Sequence, residues 1–161
     1  MPFSPQLEEK FQTLLGRYPI TRSALVPILL YAQDEQGYLS RETIAEIAHR
    51  LGLPVLEVEE VISYYSMLHK QPAGRSHLQI CTNISCLLRG GDKLYDHACK
   101  KLGIGHKQTS PDGQFSLEEV ECIGACAWAP ALQVNYDFHH ELTPERFERL
   151  IHELRTLSHE V

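Results

Sequence analysis

The chain has 161 residues, enough for one domain of ordinary size or two small ones. Its hydrophobic share, 43%, is that of a globular protein, and its net charge of −6 argues against a surface that tracks nucleic-acid phosphates. No apolar run approaches the roughly 20 residues of a membrane span, and Met1-Pro2-Phe3-Ser4-Pro5 lacks the basic start and apolar core of an export signal. A reducing compartment is therefore expected, where cysteines serve as metal ligands or redox thiols more often than as disulfides.

Four helical patterns come first. Leu7, Phe11, Leu14 and Leu15 share one face of the first. Leu25, Ile28, Leu29 and Ala32 share a face of the second, predicted over 24–36, with Pro27 tolerable only in its first turn. Ser40 is a good cap for the third, which carries Ile44, Ile47, Ala48 and Leu51 and stops at Gly52. The fourth follows Pro54 with Val58, Val61, Ile62 and Tyr65; Tyr64 to Met67, at its end, is expected to pack in the core or between domains. Gln71-Pro72-Ala73-Gly74 breaks the pattern and reads as a linker, leaving a helical unit over residues 1–70 and a second over 75–161.

After the linker, Leu78 and Ile80 alternate up to Cys81, a short strand. Gly90-Gly91-Asp92 opens a helix bearing Leu94, Tyr95, Ala98, Cys99 and Leu102, closed by Gly103. Ser110-Pro111-Asp112-Gly113 suits a type I turn. Phe115 and Leu117 start a second strand running to Cys122; Leu132, Val134 and Tyr136 alternate in a third. Thr143-Pro144 caps a last helix with Phe147, Leu150, Ile151, Leu154 and Leu157 inward. The order β-α-β-β-α makes the whole an α+β chain whose second unit is a small mixed sheet with helices against it, a thioredoxin-like plan.

Four of the five cysteines fall in two pairs, C-x4-C-x35-C-x3-C, each in a turn after a strand. Thiolates are soft ligands that select zinc, copper(I) or iron–sulfur clusters. Structural zinc prefers tighter knuckles, often C-x2-C. The gaps here are wider and suit a larger two-iron centre, but spacing leaves both open. Neither the plant-type ferredoxin spacing nor a redox C-x-x-C is present. Cys99, on an apolar helix face, is expected to be a buried structural thiol. His139-His140 reads as exposed turn, and His97 and His106 as solvated. Arg89 and Trp128 are candidates for tuning the centre or meeting a partner. No G-x-G-x-x-G loop is present, so a dinucleotide is expected on another chain.

The runs Cys81-Thr82-Asn83-Ile84-Ser85-Cys86-Leu87-Leu88-Arg89-Gly90-Gly91 and Cys122-Ile123-Gly124-Ala125-Cys126-Ala127-Trp128-Ala129-Pro130 resemble the 24 kDa subunit family of respiratory complex I, in bacteria the E subunit of NADH-quinone oxidoreductase. Ser23 to Leu29, Gln36 to Leu39, Val61 to Met67, Val134-Asn135 and Leu142 to Glu145 are similar too. Trp128 stands where a small or polar residue is more usual, and Tyr136 to His140 replaces a more acidic turn. The resemblance implies an N-terminal four-helix bundle followed by a thioredoxin-like ferredoxin domain. It implies that Cys81, Cys86, Cys122 and Cys126 bind one [2Fe–2S] cluster that exchanges single electrons. It also implies a partner of the 51 kDa family that carries FMN and oxidises NADH, in a cytoplasmic bacterial assembly peripheral to the inner membrane. Amides in 82–86 and 123–126 are expected to donate to the sulfurs, with Gly124 letting the chain approach closely. The rival assignments are the diaphorase part of an NAD-linked hydrogenase or formate dehydrogenase, and a zinc-stabilised module without redox chemistry.

Overall fold

A computed structural model describes residues 3–157. The chain forms two compact units, one ending at Pro72 and the other beginning at Ala73.

The first unit holds α1 (Pro5–Arg17), a 3-10 turn (Thr21–Ala24), α2 (Leu25–Gln36), α3 (Arg41–Leu51) and α4 (Val55–Tyr64). Ser4 and Ser40 cap α1 and α3, each hydroxyl accepting a backbone N–H, from Leu7 and Thr43, at 3.1 Å. The apolar stripes of the four helices meet in one core, with Leu7, Phe11, Leu25, Ile28, Leu29, Ile44, Ile47, Val58 and Ile62 buried. Buried Gln33 ties down the segment after α4. Its amide donates to Met67 O at 2.8 Å, and its carbonyl accepts from His69 N at 2.6 Å. The end of α4 departs from the helical pattern. Tyr65 is extended at φ −90°, Tyr64 is 82% exposed and Met67 45%, so this run is not core.

The second unit holds β1 (Ser76–Cys81), α5 (Ile84–Leu88), α6 (Gly91–Leu102), β2 (Gln108–Thr109), β3 (Phe115–Val120), a 3-10 turn (Cys126–Trp128), β4 (Leu132–Val134), β5 (Asp137–His139) and α7 (Pro144–Leu157). The sheet order is β2-β3-β1-β4-β5. β1 and β3 are parallel, joined through α6; β4 is antiparallel to β1, and the edge strands are antiparallel to their neighbours. Leu78, Ile80, Phe115, Leu117, Leu132 and Val134 line one face and pack against Leu94 and Ala98 of α6 and Phe147, Leu150 and Ile151 of α7. The side chain of Leu157 lies outside the described residues.

The third strand is shorter than its alternation predicts. It stops at Val134, because Asn135 turns to φ +52° and Asn135-Tyr136 makes a two-residue hairpin into β5. Tyr136 is thus an exposed turn residue. Strands as short as β2 and β5 leave no periodicity to read.

The other face of the sheet is polar. Glu118, 3% exposed, accepts from Gln79 Nε2 at 3.1 Å and lies 3.3 Å from His77 Nε2 and 3.5 Å from Lys107 Nζ. His77 Nδ1 is in turn hydrogen-bonded to Ser116 Oγ at 2.7 Å. Burial alone would push the Glu118 carboxyl up. The hydrogen bonds from His77 and Gln79 and the charges of His77 and Lys107 outweigh it and bring it down to about 2. This cluster bolts β1 to β3 just before both strands leave the sheet.

The polar cluster makes stability depend on pH. A carboxyl depressed on folding stabilises above its unfolded pKa, and that gain disappears as pH falls toward the folded value. Glu118→Gln should therefore cost about 3 kcal/mol at pH 7. The gap to the parent should close between about pH 4.5 and 2, read by urea unfolding across pH. Two glycines give a contrast of sign. A Cβ on Gly74 would lie 2.2 Å from the Phe115 carbonyl carbon, whereas one on Gly16, inside α1, would meet nothing within 4 Å. Gly74→Ala should destabilise by about 1–3 kcal/mol and Gly16→Ala stabilise by about 0.5–1 kcal/mol, opposite signs in the same assay.

Candidate metal centre

The parallel register pairs Gln79 with Glu118 and Cys81 with Val120. The carboxyl ends of β1 and β3 therefore release two loops side by side, where open α/β sheets commonly place sites. Cys81 is the last residue of β1, and Cys122 follows β3 by one residue, Glu121. Thr82 N donates to Val120 O at 3.1 Å and Cys81 N to Ala131 O at 3.1 Å, fixing the first cysteine between β3 and the start of β4. Cys86 sits within α5, whose first turn is capped by Asn83 Oδ1 accepting from Ile84 N at 2.6 Å. Cys126 opens the 3-10 turn that precedes Ala129-Pro130, a cis peptide.

Cys81 and Cys86 are buried with Ala125, Ala129 and Ala131, while Cys122 and Cys126 are exposed. All are free thiols. Burial pushes the Cys86 thiol up, and so do its hydrogen bond with Cys81 and the charges of Cys81 and Cys126; a backbone hydrogen bond from Ala131 opposes them, leaving it at about 11. Three sulfurs thus share one electrostatic neighbourhood in which thiolates repel, a cost that bound cations would relieve. The fourth, Cys122, stands at the exposed rim and accepts from Gly124 N at 3.4 Å.

Two glycines shape the loops, in different ways. Gly124 is not needed for close approach, since a Cβ there would meet nothing within 4 Å; it is needed for its φ of +78°. The close approach belongs to Gly91. A Cβ there would lie 2.7 Å from Cys81 O and 2.9 Å from Cys86 O. Only a residue without a side chain lets α6 start against the first cysteine pair.

Among the described residues, no three His, Cys, Asp or Glu side chains converge as one metal ion would require. Four free sulfurs on loops with amide donors, lined by alanines, are the soft donor set that a [2Fe–2S] cluster takes.

The other sequence candidates lie elsewhere. Cys99 is half-buried against the sheet core and hydrogen-bonded to Tyr95, whose hydroxyl burial and Cys99 push up to about 12. His97 is not simply solvated: Nε2 is 3.2 Å from Glu148 and its ring meets Phe147 edge-on. His106 Nδ1 accepts from Glu119 N at 3.2 Å, fastening it to β3. His139 is half-buried on β5, which depresses its pKa, and exposed His140 lies beside Trp128, ring centres 5.3 Å apart. Arg89 is exposed. The Glu118–His77 cluster and the role of Gly91 have no signal in the sequence. A charged residue at an alternating strand position reads as solvent-facing, and a second glycine after Gly90 reads only as a helix start.

Residues 11–155 match the family described as thioredoxin-like [2Fe-2S] ferredoxin. The chain is 41% identical over 149 residues to an E subunit of NADH-quinone oxidoreductase, form 2, of Rhizobium meliloti (strain 1021), spanning 92% of this chain and 89% of that protein. It is 39% identical over 151 residues to the E subunit of NADH-quinone oxidoreductase of Mycobacterium bovis, spanning 94% of this chain but 60% of the longer mycobacterial protein. Among solved structures, NAD+-reducing [NiFe]-hydrogenase in the air-oxidized state superposes on 83% of this chain with a TM-score of 0.73. At 22% identity, over 23% of the hydrogenase chain, that likeness is one of fold. The chain belongs to the thioredoxin-like [2Fe–2S] ferredoxin family, in its branch of NADH-quinone oxidoreductase E subunits.

Proposed function

We propose that Cys81, Cys86, Cys122 and Cys126 hold one [2Fe–2S] cluster and that the chain serves as an electron-transfer subunit of an NADH-quinone oxidoreductase. The observation that carries this reading is the pair of cysteine loops released side by side by β1 and β3, on a chain about 40% identical to E subunits over nine-tenths of its length. When bound, the cluster supplies storage for one electron at a time. The chain's own residues provide four thiolates, amide donors to the sulfurs and a dry alanine-lined wall behind Cys81 and Cys86. In this reading the helices before Pro72 form a four-helix bundle, and residues from Ala73 onward form the cluster domain.

The electron source is a separate flavoprotein of the 51 kDa family that carries FMN and takes the hydride from NADH. Ile84, Leu87 and Leu88 support this: they are 71%, 48% and 80% exposed on the same short helix as Cys86. Apolar side chains left in water beside a redox site are what a permanent partner covers. The assembly lies on the cytoplasmic side, peripheral to the inner membrane; among the described residues no helix is long and apolar enough to cross one.

Anaerobically purified protein should contain about two irons and two acid-labile sulfides per chain and give an EPR signal only after reduction. One zinc and no sulfide would overturn the cluster. Cys122→Ser should bleach the visible spectrum, and Cys99→Ser should leave it nearly intact; the reverse would overturn the ligand set. For the partner, Leu88→Asp should weaken association with the flavoprotein at least tenfold, roughly the loss of one interface anchor, and leave iron content unchanged. Unaltered association in a pull-down or gel filtration would move the interface elsewhere.

A further inference from the structure

The polar face of the sheet holds a titratable side chain that electron storage at the cysteines does not require. The imidazole of His77, on β1, lies between two residues of β3. Its Nδ1 is 2.7 Å from Ser116 Oγ and its Nε2 3.3 Å from the Glu118 carboxylate. The imidazole is 14% exposed, and Ser116 and Glu118 are buried. Within its unit, the charged groups on this face are Glu118 and Lys107, whose Nζ lies 3.5 Å from the same carboxylate. Gln79 of β1 and Asn135 after β4 are neutral; Gln79 donates to Glu118, and Asn135 accepts from the His77 backbone.

This setting fits a group that gains and loses a proton. A neutral imidazole presents one donor and one acceptor, a charged one two donors. Glu118 can accept from Nε2 in both states. The Ser116 hydroxyl can donate to Nδ1 in the neutral state and accept from it in the charged one. Glu118 is held ionised, at about 2, and Lys107 balances it, so the cluster is near neutral until His77 takes a proton. Imidazoles are the side chains whose charge ordinarily changes between about pH 5 and 8.

Its place in the fold links the cluster to the sulfurs. His77 is paired in register with Ser116 and stands four residues before Cys81, and Glu118 stands four before Cys122. Four strand residues span roughly 13 Å. That exceeds the Debye length of about 8 Å at physiological salt, but the path runs along the sheet, where salt screens poorly.

We propose that His77 compensates the charge of the metal centre, taking a proton from solvent when the centre gains an electron and returning it on oxidation. The inference rests on the [2Fe–2S] reading. One electron comes from the reductant, the flavoprotein in that reading and dithionite in the test. The proton goes to Nδ1, and the Ser116 hydroxyl turns from donor to acceptor.

The full-length chain, with iron and sulfide counted first, is titrated with dithionite and followed by EPR from about pH 5 to 9. The midpoint should be less negative at low pH, where the imidazolium favours the added electron. A unit charge at that distance is worth about tenfold in the reduction equilibrium, which for one electron is about 59 mV between the two plateaus. Reduction in weak buffer should draw in about half a proton per electron near the middle of that range. His77→Gln should abolish both the slope and the uptake. Ser116→Ala, which removes the acceptor for the second proton, should move the inflection to lower pH with iron content unchanged, and it carries the test if His77→Gln does not load iron. His106→Gln should alter neither, although His106 lines a groove with Thr82 and Glu121, the residues next to Cys81 and Cys122. A loaded chain with a pH-independent midpoint, a slope that survives His77→Gln or is lost in His106→Gln, or an inflection unmoved by Ser116→Ala would overturn this inference alone. A chain without iron and sulfide would overturn the cluster reading beneath it as well.

Discussion

The parallel pairing of β1 with β3 is the constraint on which the candidate centre depends. The two cysteine loops are separated by 35 residues of sequence, and closing such a loop costs entropy before any sulfur meets a metal. The sheet meets that cost in advance. Residue-by-residue register from Ser76↔Phe115 to Cys81↔Val120 brings both strand ends to one edge, and α6 makes the return crossover that parallel strands require. The apolar face fixes the two strands against α6 and α7. The polar face fixes them by charge, with Glu118 of β3 held between His77 and Gln79 of β1 and Lys107 before β2. A one-residue slip would expose Leu78 and Ile80 and strand Glu118 without its partners, so register is specified from both sides.

The site is asymmetric. Cys81 and Cys86 are buried behind alanines, and Cys122 and Cys126 are exposed. A four-thiolate, two-iron centre keeps a net negative charge, which is costly to desolvate completely. In the proposed assignment, one pair in the buried wall and the other at the rim would limit that cost and leave an edge of the centre open. The exposed Ile84, Leu87 and Leu88 flank the buried pair. A partner covering them would remove water from the open side and strengthen every interaction between the sulfurs and their amide donors.

Much of this was legible in the sequence because the decisive features are local. Ser40 and Gly52 bracket α3, Thr143-Pro144 starts α7, and Ser110 to Gly113 makes a turn with Gly113 N donating to Ser110 O at 2.8 Å. Cysteine spacing marks a candidate ligand set without any knowledge of the fold. What could not be read depends on pairing. β2 and β5 are strands because β3 and β4 lie beside them. Tyr136 continues an alternation that Asn135 breaks with a positive φ. Tyr65 continues a helical spacing past the point where α4 ends. Glu118 is buried because of the residues across the strand, and no periodicity within β3 announces a carboxylate at a closed position.

Gly91 and Gly124 show how such loops divide their requirements. One is small because two carbonyls of the buried cysteine pair lie where its side chain would be; the other is glycine because its backbone turns left-handed and so aims its own N–H at Cys122. Replacing Gly91 would act on position, pushing α6 from Cys81 and Cys86, whereas replacing Gly124 would act on backbone strain at the exposed rim. The first lies on the route by which the sheet core fixes the buried sulfurs, and the second on the route by which the loop reaches the exposed ones. The buried pair is therefore positioned from the sheet outward, and the side shaped by loop backbone alone is the exposed one.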